Sequence, residues 1–188
     1  MTKQTIPAAP PCTLFLFGAN GDLVKRLLMP ALYNLSRDGL LDRNLRIVGV
    51  DHNPASAEDF AGRLHAFMVE RDKGTAKCLD EKLWARLAKR LDYQTGDFLD
   101  PATYQAIAKR IEKTSHGNAI FYLATSPRFF PEVAQRLGQA GLLDESAGGF
   151  RRVVVEKPFG TDLASAEALN ACLLKVMGER QIYRIDHY

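Results

Sequence analysis

The sequence predicts an α/β fold, a doubly wound and mainly parallel sheet of about six strands with helices on both faces. Three observations predict it. Short apolar runs rich in β-formers alternate with longer helical patterns from Thr13 onward. Several of those runs are apolar throughout rather than alternating, as strands covered on both faces must be. A glycine-bearing turn joins the first run to a helical pattern, where sheets of this winding present backbone amides to a ligand.

The elements follow in order. Met1 to Pro11 is rich in Pro and Ala and reads as a short flexible tail, leaving one domain over 12–188. Strands are expected at Thr13–Phe17, Arg46–Val50, Tyr93–Thr95, Ala119–Leu123, Arg152–Val155 and Ile182–Ile185. Ser56 with Asp59 forms a capping pattern ahead of Phe60, Leu64 and Phe67. Between Ala57 and Leu91 lie roughly two helices' worth of residues where one crossover helix is the norm, and the charge run Glu70 to Lys73 reads as a solvated loop. Asp100-Pro101 supplies an N-cap and a first-turn proline, with Tyr104, Ile107, Ala108 and Ile111 as the apolar face. Ser126-Pro127 repeats that device before Phe129–Gln139, and Gly141 ends the helix. Asp162 opens a last helix carrying Leu163, Ala166, Leu169 and Leu173.

Composition excludes several classes. With 25 basic and 22 acidic residues the net charge is +3, and no dense basic run suggests a nucleic-acid partner. No apolar stretch reaches membrane-spanning length. The cysteines Cys12, Cys78 and Cys172 are scattered, which argues against a disulfide framework or a metal site and for a reducing, cytoplasmic setting.

The turn Gly18-Ala19-Asn20-Gly21-Asp22-Leu23-Val24-Lys25 carries the chemistry. Glycine permits positive φ and lets backbone N–H groups approach a pyrophosphate, and the helix start adds about half a positive charge. A G-x-x-G spacing alone is common; its place after the first strand makes it a dinucleotide signal. Lys25 and Arg26 stand in the first helical turn, where the dipole disfavours cations, and either solvent or a bound anion relieves that repulsion.

Taken with Pro30, Ala31, Leu32 and Leu35, this turn is similar to that of glucose-6-phosphate dehydrogenases. Glu156-Lys157-Pro158-Phe159-Gly160 and Arg184-Ile185-Asp186-His187-Tyr188 carry the same resemblance. It implies a Rossmann-like coenzyme domain of an oxidoreductase of the pentose phosphate pathway. Such an enzyme oxidises D-glucose 6-phosphate at C1 to the 6-phosphogluconolactone, with hydride passing to NADP or NAD. Because the family is far longer than this chain, the resemblance implies that the chain is inactive alone and that the full-length protein is a homo-oligomer. Lys157 and Asp186 are the implied catalytic-site residues, Asp186 orienting a histidine supplied from beyond the chain. Lys157, His187 and Tyr188 are implied to hold the sugar phosphate. The implied coenzyme contacts are Gly18 to Lys25, Asp51, His52, Asp97, Phe98, Tyr122, Lys157 and Pro158. For Tyr122 a purely structural buried hydroxyl is the competing reading.

At one point the residues depart from the family. Many members carry an arginine for the 2′-phosphate of NADP after the second strand, where this chain has His52 preceded by Asp51. An acidic residue there suits the ribose hydroxyls of NAD, and the missing arginine contacts are worth about 1.5–3 kcal/mol each. NAD is therefore expected to bind at least as readily as NADP, unless Asp51 turns away and His52 serves a phosphate. A stand-alone dinucleotide-binding regulatory module is the alternative, although it would have no use for the Lys157 and Asp186 segments. A short-chain reductase would need a Tyr-x-x-x-Lys pair, which the sequence lacks.

Overall fold

A computed structural model describes residues 7–73, 79–114 and 116–186. Cys78, His187 and Tyr188 lie outside the described residues. Strands β1 (Thr13–Phe17), β2 (Arg46–Asp51), β3 (Leu91–Thr95), β4 (Ala119–Leu123), β5 (Arg151–Glu156) and β6 (Ile182–Ile185) form one sheet. Its order is β3-β2-β1-β4-β5-β6, with every neighbour parallel. Successive strands thus wind outward from β1 in two directions, and a crevice opens between the exits of β1 and β4.

Side chains alternate across the sheet and build two cores. Leu14 and Leu16 pack on one face with Met29, Leu64 and Leu87 of α1 (Met29–Arg37), α2 (Ala57–Asp72) and α3 (Glu81–Ala88). Phe15 and Phe17 pack on the other with Tyr104, Ile107 and Val133 of α4 (Pro101–Glu112) and α5 (Phe130–Gln139). The last helix, α6 (Leu163–Leu174), joins this second layer through Leu173. Each such side chain contributes roughly 1.5–3 kcal/mol of transfer free energy, so β1 anchors both layers.

The strand positions agree with the sequence, and three strands run one or two residues further. Asp51, Leu91 and Arg151 are charged or flanked by charge, but the ladders Asp51↔Thr95, Ile47↔Leu91 and Ala119↔Arg151 carry them into the sheet. The expected caps of α2, α4 and α6 are present, the first and last as reciprocal capping boxes. Three readings need correction. Ser126 makes no side-chain cap: Pro127–Phe129 is a 3-10 turn, and α5 starts after it with Pro131 in its first turn, where no N–H is needed. The Glu70–Lys73 run is no loop: Glu70 to Asp72 form the last turn of α2, and Lys73 caps it while pairing with Glu70. Part of the tail is tied down, since Ala9 N–H donates to the Leu40 carbonyl and Pro11 accepts from the Asn118 amide, both at 2.9 Å.

Candidate dinucleotide and substrate site

Parallel register brings the strand exits into one row: Val50, Phe17, Leu123 and Val155 are successive partners across β2, β1, β4 and β5. At a strand spacing of about 4.8 Å, the exits of β2 and β5 stand roughly 14 Å apart. Gly18 leaves β1 at φ +86°, and its N–H and that of Ala19 both donate to the Val50 carbonyl, at 2.9 and 3.3 Å. A Cβ on Gly18 would sit 2.5 Å from the Ala124 carbonyl oxygen. Only a glycine lets the turn close against the exit of β4 in this way. Ala19 and Val24 are buried in the core, so their part in the turn is backbone.

After Gly21 the chain turns helical, with a π-helical stretch at Val24–Leu28 before α1. Gly21, which precedes that start, has no side chain with which to cap it. The cations there find a partner that sequence reading passed over. Asp22 lies 2.6 Å from Lys25 Nζ and 3.5 Å from Arg26 Nε, three and four residues on, and offsets the dipole itself. The Lys25 hydrogen bond, then its charge, lowers the Asp22 pKa. The spacing was the available signal.

Asp51 at the exit of β2 is 6% exposed and turned toward the turn. Its Oδ2 accepts from the Asn20 N–H at 3.2 Å, and its Oδ1 accepts from the Asn53 N–H and Nδ2, both at 3.3 Å. His52 Nδ1 stands 3.2 Å from the same Oδ1, with the ring exposed. After β3, Asp97 accepts from the Leu99 N–H at 2.8 Å, while the Phe98 ring packs 5.6 Å from both Phe17 and Phe129. These residues meet in a cleft of about 410 Å³ bordered by Gly18, Gly21, Asp51, Asp97, Thr125 and Arg128. A glycine turn, an uncapped helix start and a carboxylate at the β2 exit, all around one crevice, fit a dinucleotide.

Across the row, Tyr122 is 8% exposed and its hydroxyl donates to Glu156 on β5. Burial first, then the Glu156 hydrogen bond, raises the Tyr122 pKa well above 10, so the hydroxyl stays protonated. Glu156 is buried too and leads directly into Lys157. Lys157 is joined to Pro158 by a cis peptide and lies 2.8 Å from Asp186 Oδ1, the two side chains 47% and 49% exposed. Sequence reading treated Lys157 and Asp186 separately. The β5–β6 register, with Glu156 opposite Ile185, carries the next pair of residues into contact.

A family model described as "Glucose-6-phosphate dehydrogenase, NAD binding domain" matches residues 15–188. Among curated relatives, glucose-6-phosphate 1-dehydrogenase of Zymomonas mobilis is 40% identical over 94% of this chain and 35% of its own length. The enzyme of that name from Chlamydia muridarum is 35% identical over 98% of this chain and 38% of its own. The chain therefore spans well under half of the relatives it matches. A solved glucose-6-phosphate dehydrogenase, in complex with its substrate glucose-6-phosphate, superposes with a TM-score of 0.84 at 32% identity, covering 98% of this chain and 38% of that one.

Proposed function

We propose a function from one premise: the chain belongs to the NAD-binding-domain family of glucose-6-phosphate dehydrogenases. It holds a nicotinamide dinucleotide across the strand exits and, within the longer protein, serves the oxidation of D-glucose 6-phosphate at C1 to 6-phosphoglucono-1,5-lactone. The nicotinamide, when bound, accepts the hydride that leaves C1. Every other part of the step belongs to side chains and backbone.

Within Gly18 to Lys25 the diphosphate meets the helix start, Asp22 to Val24, because the N–H groups of Gly18, Ala19, Asn20, Gly21 and Lys25 already donate within the protein and shape the turn. Asp51 and His52 border the adenosine ribose, and Asp97 and Phe98 the adenine side. Tyr122 acts through Glu156, holding the exit of β5 so that Lys157 and Pro158 meet the nicotinamide half. Lys157 donates to a hydroxyl or phosphate oxygen of the sugar phosphate, and His187 and Tyr188 serve as further ligands of that phosphate. Asp186 orients and stabilises the histidine that takes the C1 hydroxyl proton. That base comes from outside this chain: His52, His65 and His116 are set at the β2 exit, on α2 against Glu81, and ahead of β4.

The observation that carries the reading is the Lys157–Asp186 ion pair at the β5 and β6 exits, in the same row as the Gly18 turn. A module with nucleotide binding alone would not need it. His52 in place of an arginine supports NAD binding at least as tight as NADP. No helix among the described residues is long and apolar enough to cross a membrane, and we place the protein in the cytoplasm as a homo-oligomer at full length. Calorimetric titration with both dinucleotides tests the reading. Saturable binding with no turnover of glucose 6-phosphate by this chain is expected. Binding of neither overturns it, and NADP binding tenfold tighter than NAD overturns the coenzyme preference.

A further inference from the structure

Arg63 on α2 is a cation that the dinucleotide turn holds in place without neutralising. Its Nη2 donates to Asn20 Oδ1 at 2.9 Å. The other end of that amide, Nδ2, donates to the Tyr93 hydroxyl at 2.9 Å, and the hydroxyl donates to the Asn53 carbonyl at 2.7 Å. One chain of hydrogen bonds thus links the turn, β3, the segment after β2 and the guanidinium. It also fixes the orientation of the Asn20 amide, leaving its oxygen for Arg63. Among the described residues no carboxylate is hydrogen-bonded or ion-paired to Arg63; Asp59, one turn earlier, feels its charge only at longer range.

Arg63, Asn20, Asn53 and Lys25 border a second cleft, of about 650 Å³, beside the turn. The other charged groups of that cleft are already paired, Lys25 with Asp22 and Glu70 with Lys73. Asp59, one turn before Arg63, is bound into the Ser56 cap. Asp51, the nearby carboxylate that would repel an anion, is buried with both oxygens hydrogen-bonded. Arginine has five N–H donors, always charged, and one bond to Asn20 leaves the rest of the fork for a phosphate.

In sheets of this winding the adenosine ribose lies at the exit of the second strand, where Asn53 and Asn20 flank this cleft. We propose that Arg63 receives the 2′-phosphate of NADP, supplying from a helix the cation that His52 does not. The assignment rests on the dinucleotide reading above. It makes Arg63 a specificity-determining residue, silent toward NAD, whose 2′ position carries only a hydroxyl.

The test is calorimetric titration of the chain and its Arg63→Ala and Arg63→Lys variants with NADP and NAD. Because Arg63 is exposed on a helix, NAD affinity doubles as the check on folding. NADP binding weaker by about tenfold or more in Arg63→Ala is expected, with NAD changed less than about twofold and Arg63→Lys between. Added salt should weaken NADP binding more steeply in the parent than in Arg63→Ala. Equal losses for both dinucleotides, or no loss for either, overturn the assignment and leave the dinucleotide reading standing. Binding of neither by the parent chain overturns both.

Discussion

Replacing Gly18 by alanine probes the closest backbone approach in the site. Two costs add. Alanine at φ +86° enters the left-handed region, at about 1–2 kcal/mol. Its Cβ would then lie 2.5 Å from the Ala124 oxygen, 3.0 Å from the Ala124 carbonyl carbon and 3.2 Å from Thr125 Cβ. These are mostly backbone atoms at the exit of β4, so relief means prising the β1 and β4 exits apart, an overpacking cost of about 1–3 kcal/mol. The sum is about 2–5 kcal/mol. Gly39→Ala is the matched control, because its φ is +72° and a Cβ there meets nothing within 4 Å. It should cost only the conformational part, about 1–2 kcal/mol. Urea unfolding at constant m reads both as shifts in midpoint. Gly18→Ala should also weaken dinucleotide binding, because the amides after it move with the strand exits. If Gly18→Ala proves no costlier than Gly39→Ala, the close approach of turn and β4 exit is not a constraint, and the reasoning fails.

The remaining predictions concern one ion pair and one thiol. Lys157→Ala should change stability by less than about 1 kcal/mol, since a half-exposed pair contributes little, yet weaken dinucleotide binding by about tenfold or more through a lost charge-assisted contact; a large loss in the urea midpoint with unchanged titration curves would reverse both assignments. Cys12 is buried at the start of β1, and burial, then the nearby Asp42 charge, pushes its thiol up from 9.0 to about 11. The folded state thus favours the neutral thiol. Its contribution is complete below pH 9, where the unfolded chain is also neutral, and is lost as pH rises to about 11. At about 1.4 kcal/mol per pH unit, Cys12→Ala should lack roughly 3 kcal/mol of the alkaline loss seen in the parent between those limits. Parallel stability-versus-pH curves for the two proteins would refute it.

Local signals read well wherever the chain itself supplies the physics. β1 was legible because Leu14 to Phe17 are apolar on both faces, as a central strand must be, and the α2 and α4 starts because Ser56 and Asp100 satisfy N–H groups within three residues. The glycine turn was legible because only that residue type tolerates the geometry after β1. What the sequence concealed depends on groups far apart along it. Whether Lys25 and Arg26 need a bound anion hinged on the rotamers that bring Asp22 to them. Whether Asp51 faces a ribose or the turn hinged on the Asn20 N–H, 31 residues away.

By itself, then, the amino-acid order determined the strands, the capped helices, the parallel sheet and the turn that identifies the site, because those follow from periodicity, propensity and backbone freedom within a few residues. Tertiary structure alone decided which polar and charged groups meet: Lys157 with Asp186 across β5 and β6, Tyr122 with Glu156 across β4 and β5, and Arg63 with Asn20 across a helix and a turn. The reason is physical. An ion pair or hydrogen bond acts over a few ångströms of space, and the register and winding of the sheet set that distance, not separation along the chain.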